Sequence, residues 1–327
     1  MGIYVKAPLV LKLFGEHAVV YGYRAIACAV DRYVHCRIES HSNDEILVDT
    51  NFGTFTLREI PKPESAGRLR YVVSVLKIVQ EVYGVHPRRI RIVLRSDAQP
   101  SCGLGTSAGV VSSLMYGLLQ YYNISVTVHE LAELAYRAEL MAQGRASRMD
   151  TYTSTLGGVT LINDPPNSVR KLDIYNIDAK FTVLLVRRRR TTRELVNEVY
   201  ELKRKYPDIV ENIFRAIDSI VGKALSYIIS NRFDCIGELM YMNHFLLMIL
   251  GVTNPLLDQT ILKARQIGIP GAKVSGAGDG GAVLFLSEQL PEDFKRWLQE
   301  SWRNDLITLE TVTIDNHGIR REDRATD

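Results

Sequence analysis

A mixed fold of strands and helices, arranged around one glycine-rich loop, is what this sequence predicts, and three patterns predict it. Ahead of the loop, Ile90, Ile92 and Leu94 interleave with Arg91, Val93 and Arg95, the period-two alternation of a half-buried strand. After the loop, Val110, Val111, Leu114, Leu118 and Tyr121 recur at helical spacing. The opening of the chain is strand-rich, with residues 3–5, 9–13, 25–30 and 34–38 apolar or alternating.

The loop itself carries Pro100, Cys102, Gly103, Leu104, Gly105, Thr106, Ser107 and Ala108. Glycines let backbone N–H groups approach a ligand, and a helix N-terminus adds unpaired donors and partial positive charge. That combination suits phosphate. From the glycines alone, a tight strand-to-helix connection that holds nothing reads equally well. A Walker A loop needs Lys directly after its last Gly, where this chain has Thr106. The run from Gly103 through Gly105 to Ala108 also matches the relaxed dinucleotide fingerprint, with Glu130 at the distance of a ribose contact. Thr127 and Glu130, however, open a helical run through Leu131, Leu134, Ala135 and Ala138, and read better as a capping box. A nucleoside triphosphate is the better reading than NAD.

Composition narrows the class. With 327 residues and 46% hydrophobic content, the chain can bury one large or two ordinary cores. Forty basic and 37 acidic residues, mixed along the chain, leave a net charge of +3, too small to make nucleic acid the default partner. Cys28, Cys36, Cys102 and Cys235 show neither metal-site spacing nor a secreted disulfide pattern. Cys102 lies inside the loop, where it reads either as a reactive thiol or as a small packing residue. The first residues form no apolar signal region and no run approaches membrane-spanning length, which predicts a soluble protein of a reducing compartment.

The remaining elements follow in order. Residues 43–63 read as short strands and turns, and 69–83 as a helix stopped by Gly84. A further helix spans 128–143, a strand 159–162, and Asp164, Pro165, Pro166 and Asn167 make a turn. A buried strand at 181–186 leads into Arg187 to Arg190, a run that reads as solvated, then a capping box of Thr191 and Glu194. Residues 212–250 read as helical, with Phe214, Ile217 and Val221 on one core stripe and Leu239, Met242, Phe245, Leu246 and Ile249 on another. A helix at 256–266, a strand at 282–286, an amphipathic helix at 292–302 and a strand at 307–314 precede a charged, mobile tail from Asn316. By residue type alone, His17 is a surface loop residue, Glu139 a solvated helix face, Asp150 an N-cap and His244 a core histidine.

Taken together, three stretches resemble the motifs of the GHMP kinases. The order Pro-x-x-Gly-Leu-Gly-x-Ser-Ala from Pro100 to Ala108 resembles their second motif. Lys6 to Gly22, with Gly15, Glu16, His17, Ala18, Val19, Val20, Tyr21 and Gly22, resembles the first, in the form found in the mevalonate kinase branch. Lys273 to Gly281, with Gly276, Ala277 and Gly278, resembles the third. Glu139 lies eleven residues before Asp150, the spacing of that branch's magnesium-binding Glu and catalytic Asp. Gly144, Ser147 and Asp150 match its Gly-x-Pro-Ser-Gly-x-Asp segment, with Ala146 and Arg148 replacing Pro and Gly. One departure is Val10, where the family usually has Lys or Arg. Positions 10 and 12 of a strand share a face, so Lys12 reaches the same place, with Lys6 the other candidate. Asp279 stands where Gly or Ala is usual, so its carboxylate must be paired or turned from the phosphates.

The resemblance implies an α+β fold of two domains. Residues 1–175 would form a GHMP kinase N-terminal ATP-binding domain like the second domain of ribosomal protein S5, and 176–327 a ferredoxin-like C-terminal domain, with the active site between them. It implies an ATP-dependent kinase that phosphorylates the C5 hydroxyl of mevalonate in cytoplasmic isoprenoid biosynthesis. Asp150 and Lys12 would be catalytic. Pro100, Gly103, Leu104, Gly105, Thr106, Ser107 and Ala108 would hold ATP, and Ser107 and Glu139 would hold Mg²⁺. Glu16, His17, Arg148, Thr192, Thr253, Gly276 and Ala277 would bind the acceptor. ATP and mevalonate would be the partners, without nucleic acid or membrane, and a homodimer stays open. Two alternatives remain: a kinase for phosphomevalonate or another small alcohol, with Arg187 to Arg190 supplying extra cations, and a non-catalytic sensor on the same fold.

Overall fold

The computed structural model describes residues 2–100, 102–144, 146–174 and 179–322. Two long strands, β1 (Ile3–Phe14) and β2 (Ala25–Ser40), pair antiparallel where four short ones were expected. The apparent breaks are a bulge. Leu9 lies opposite Val30 but Pro8 opposite Tyr33, so Asp31 and Arg32 fall out of register beside a proline that has no N–H for the ladder. Strands β3 (Ile46–Thr50), β4 (Gly53–Leu57) and β5 (Ile90–Ser96) extend this sheet in the order β1, β2, β5, β3, β4.

Helices α1 (Arg70–Tyr83), α2 (Thr106–Tyr121), α3 (Val128–Gln143) and α4 (Arg148–Leu156) belong to this half. Of these, α2 and α4 pack on β1 and β2, while α1 and α3 pack on α2. Gly84 stops α1 in the left-handed conformation, and Thr127 and Glu130 form the capping box of α3. Glu130 is thereby used up, since its carboxylate accepts the Thr127 N–H at 2.7 Å. Strand β6 (Val159–Ile162) pairs with the start of β2, and β7 (Val169–Lys171) with β6.

A second sheet, four-stranded and antiparallel, holds β8 (Lys180–Val186), β9 (Ala272–Ser275), β10 (Gly281–Phe285) and β11 (Leu306–Thr313) in the order β11, β8, β10, β9. Around it lie α5 (Thr192–Lys205), α6 (Pro207–Ile229), α7 (Gly237–Ile249), α8 (Pro255–Gln266) and α9 (Glu292–Ser301). Thr191 and Glu194 cap α5 as the sequence predicts. β12 (Arg320–Arg321) then returns to pair with β1. Residues 316–322 of the tail expected to be mobile are therefore tied to the first sheet: Asp315 accepts the N–H groups of His317 and Gly318 and binds Arg320, and Lys6 pairs with Glu322 at 3.0 Å. Residues 323–327 and the expected division at 175/176 lie outside the described residues.

One helix departs from its predicted face. In α6, Phe214, Ile217 and Val221 are buried as expected. In α7, Met242 and Ile249 are 56% and 58% exposed, while Met240, Tyr241, His244 and Leu247 are buried. A 3₁₀ turn over Phe233–Ile236 resets the phase between the helices. Gly237 then sets the new one: a Cβ there would lie 2.0 Å from the Pro270 carbonyl oxygen, so that side of the helix must face inward. Leu247→Ala should accordingly cost about 2–5 kcal/mol in a denaturant titration. Met242→Ala should change stability by less than about 0.5 kcal/mol. The reverse ranking would restore the predicted stripe.

Candidate active site

The glycine loop folds against three parts of the chain. Gly103 and Gly105 both have positive φ, 87° and 64°, and Gly105 is the N-cap of α2. No side chain caps that helix, so its first N–H groups are left to a ligand. A Cβ on Gly103 would lie 2.8 Å from the Ala282 nitrogen, and one on Gly105 3.3 Å from Asp150 Oδ2. The loop thus touches the third motif at one end and Asp150 at the other, while the Leu104 carbonyl accepts the Val10 N–H at 2.9 Å. Leu104, Ala108 and Cys102 are buried, Thr106 and Ser107 half-buried, and Pro100 exposed. Burial pushes the Cys102 thiol up, which favours its packing role over reactivity.

Asp150 is not an N-cap. Ser147 occupies that position, and Asp150 sits within the first turn of α4. Lys12 Nζ donates to Asp150 Oδ2 at 2.7 Å, while Oδ1 is buried with no hydrogen-bond partner among the described residues. Lys6, the other candidate, pairs with Glu322 instead. Glu139 is only 4% exposed and so is no solvated helix residue. Ser107 Oγ donates to Glu139 Oε1 at 2.7 Å, and burial, with the Asp150 charge second, pushes the Glu139 carboxyl up to about 7.

The other expected contacts divide. His17, 5% exposed with φ 61°, lies at the third motif and donates from Nε2 to the Ala277 carbonyl at 2.9 Å. A carbonyl only accepts, so Nδ1 is left as an acceptor, and burial lowers the ring's pKa. Glu16 does not reach toward a ligand: it is buried in an ion pair with Lys273 and accepts from Asn243 Nδ2 at 3.2 Å. Arg148 is also occupied, with Glu133 gripped at 3.0 and 3.1 Å and the Tyr136 ring 4.4 Å away. Both were expected at the acceptor, and both are tied to protein carboxylate or ammonium partners. Thr192 accepts from Arg188, Thr253 is buried, and Gly276 lies beside Arg188. Asp279 is paired, as required, with Arg190 at 3.1 Å and Asn254 at 3.2 Å. His244 is structural, with Nδ1 accepting the Val274 N–H.

Comparison with known proteins identifies the family. The GHMP kinases N terminal domain matches residues 70–158, which hold the loop, Glu139 and Asp150, and the GHMP kinases C terminal matches residues 224–304, which hold the third motif. The mevalonate kinase of Saccharolobus solfataricus is 34% identical over 319 residues, covering 95% of this chain and 98% of the relative. The chain belongs to the mevalonate kinase family of GHMP kinases. The mevalonate kinase of Methanocaldococcus jannaschii is likewise 34% identical, over 92% of this chain and 96% of the relative. The crystal structure of the Methanococcus jannaschii mevalonate kinase matches with a TM-score of 0.84 at 30% identity, covering 96% of this chain and 98% of that one.

Two residues of this GHMP kinase were not singled out from sequence. Lys273 is a motif residue whose burial against Glu16 no local pattern announces. Arg188 belongs to a run read as solvated or as extra cations, yet its Nε is buried with no hydrogen-bond partner among the described residues, and its Nη2 lies beside Gly281 of the third motif.

The raised Glu139 value has a stability consequence. Its folded-state pKa lies above the ordinary 4.5, so its contribution is fully present below that pH and is lost as pH rises toward 7. At about 1.4 kcal/mol per unit, the wild-type protein carries on the order of 3 kcal/mol of strain at pH 8 without metal or nucleotide. Glu139→Gln should therefore melt several degrees higher than wild type at about pH 8, with the gap closing toward about pH 5. A gap that does not change with pH would mean that Glu139 is not an anion in a dry site.

Proposed function

We propose that this chain transfers the γ-phosphoryl group of ATP to the C5 hydroxyl of mevalonate, giving 5-phosphomevalonate and ADP in isoprenoid biosynthesis. One observation carries the reading. In a chain matched nearly end to end by mevalonate kinases, a carboxylate with one oxygen on Lys12 and the other without a partner among the described residues lies against the glycine loop at Gly105. ATP supply and four free cysteines suit a cytoplasmic setting, and no helix among the described residues is long and apolar enough to cross a membrane.

Phosphoryl transfer needs positioning and charge neutralisation more than covalent help. N–H groups from Gly103 to Ser107 hold the phosphates. Asp150 Oδ1 accepts the C5 hydroxyl proton as the oxygen–phosphorus bond forms and the bond from γ-phosphorus to the bridging oxygen breaks, releasing ADP. Lys12 fixes the other carboxylate oxygen and places a positive charge beside the transferring group. His17 Nδ1 accepts from an acceptor hydroxyl, with Gly276, Ala277, Thr192 and Thr253 around it. Glu16 and Arg148 act by holding Lys273 and Glu133, not by touching substrate.

Ser107 and Glu139 are hard oxygen donors at one point, and the Asp150 oxygen without a partner adds negative charge nearby. This set fits Mg²⁺, which takes one or two carboxylates and completes its shell with water and phosphate. When bound, the ion neutralises phosphate charge. No cluster of three or more His, Cys, Asp or Glu that could hold an ion gathers among the described residues.

Coupled ADP release across mevalonate, phosphomevalonate, homoserine and galactose should show turnover with mevalonate alone. Turnover with another acceptor and none with mevalonate sinks the assignment. With mevalonate, Asp150→Asn and Lys12→Met should each lower kcat by roughly 10²-fold or more with ATP binding kept. Lys6→Met should stay near wild type. Ser107→Ala and Glu139→Gln should each raise the magnesium concentration for half-maximal rate, and less than additively in combination. A Glu139→Gln variant with an unchanged magnesium requirement would remove Glu139 from the metal.

A further inference from the structure

Asp279 stands in the third motif where Gly or Ala is usual, and its backbone keeps the conformation that favours glycine, with φ 53°. Asp tolerates that region better than most residues, though not without cost. A side chain kept at such a position needs contacts that hold it there.

Those contacts reach two loops. Oδ2 accepts the Arg190 N–H at 3.0 Å and pairs with Arg190 Nε at 3.1 Å, while Oδ1 accepts from Asn254 Nδ2 at 3.2 Å. The Asp279 N–H donates to the Val252 carbonyl at 2.9 Å. Arg190 in turn donates to the Thr253 carbonyl at 3.1 Å, and Asn254 Oδ1 accepts the Leu256 and Leu257 N–H groups that open α8. The glycines on either side press against the same segments. A Cβ on Gly278 would lie 2.0 Å from the Val252 carbonyl oxygen, and one on Gly280 2.5 Å from that of Arg187. Residues 187–192 and 251–254 are thus fastened to the third motif and to each other. Thr192 and Thr253, read above as neighbours of the acceptor, lie on these two loops. Burial opposes the Asp279 charge, but Arg190 and Asn254 outweigh it and hold the carboxyl below the usual range. Both oxygens are engaged inside the protein, so the carboxylate is not spent on a ligand.

We propose that Asp279 is a positioning residue, a clasp that glycine cannot supply, which holds the β8–α5 and α7–α8 loops in the arrangement that binds the acceptor. The inference rests on the acceptor reading above and adds the residue that sets the shape of that side of the site. Small displacements matter there, since about 1 Å of misplacement can cost about 100-fold in rate.

The test is steady-state kinetics with mevalonate and ATP. Asp279→Gly relieves the backbone and removes the clasp, so it should fold with KM for mevalonate raised about tenfold and KM for ATP within about threefold. Asp279→Asn, which suits the same φ and keeps one oxygen for Arg190, should recover part of the loss. Its amide cannot replace the bond from Asn254, whose own oxygen is committed to α8. Arg190→Gln should raise KM for mevalonate likewise, and the double variant with Asp279→Gly should show less than the product of the two factors. Arg189→Gln, whose partner is Asp305, should leave both constants near wild type. Amide hydrogen exchange at 187–192 and 251–254 should quicken in Asp279→Gly without added ligand. Faster exchange with KM for mevalonate unmoved means that the clasp only stabilises the fold, and overturns the proposal. A rise confined to KM for ATP overturns it as well. If Asp279→Gly does not fold, an unmoved KM for mevalonate in Arg190→Gln has the same force. A wild-type chain that releases no ADP with mevalonate sinks the acceptor reading and this inference with it, whereas wild-type turnover with unmoved variants sinks this inference alone.

Discussion

The candidate active site depends on a seam between the end of β1 and the third motif. Along it, the Lys12 N–H donates to Ser275 Oγ at 2.9 Å, Glu16 is buried against Lys273, and His17 donates to the Ala277 carbonyl. The central pair carries the most consequence. Both side chains are almost wholly excluded from water, and Asn243 and the Val274 carbonyl take up further hydrogen bonds. Removing either partner would strand a buried charge, at about 3–5 kcal/mol. Such a pair is a weak source of net stability but a strong constraint on geometry, because few arrangements satisfy it. Burial lowers the Lys273 pKa while Glu16 opposes the shift, so the ammonium is tolerable only where that carboxylate is. The seam also accounts for His17 persisting at φ 61°, a conformation that surrounding contacts must over-determine.

Backbone proximity complements the seam. Gly103 lies against Ala282 and Gly281, and Gly281 leaves room for Arg188, so the two glycine loops approach more closely than residues with Cβ atoms would allow. The second motif is thereby placed relative to the third, and the third is held to β1. Phosphate loop, Lys12 and Asp150 form a single arrangement because each is fixed to a neighbour already fixed elsewhere.

How much of this was legible in the sequence depends on the range of the interaction. Period-two strands, the α1 stop at Gly84 and both capping boxes are decided within a few residues, and the chain declares them. The phase of α7 is not, because the helix is apolar nearly all round and two stripes fit the pattern; contact with Pro270, 33 residues further on, chooses between them. The return of residues 314–322 to the first sheet is equally invisible locally, since a charged stretch looks like a tail until Asp315 and Glu322 meet Arg320 and Lys6. Within the candidate site, motif order pointed to Lys12, Glu139 and Asp150, which the fold brings together. It was silent on pairing: Glu16 to Lys273 and Arg148 to Glu133 are contacts that cancel an expected contact elsewhere.

Charge balance gives the arrangement its logic. Glu139 is buried, forms no ion pair among the described residues, and lies near enough to Asp150 that the Asp150 charge disfavours the Glu139 anion. Lys12 is shared unequally, bonded to Asp150 and acting on Glu139 only at a distance. A dry site with two carboxylates and one bound cation is electrostatically incomplete at neutral pH. Packing alone would not maintain it, since a glutamine would satisfy Ser107 as well. The incompleteness makes sense if further positive charge arrives with the nucleotide, so that the carboxylate which is costly in the empty enzyme becomes favourable in the loaded one. This also distinguishes a working kinase from a sensor on the same fold, because binding alone would not require Glu139 to stay poised near neutrality.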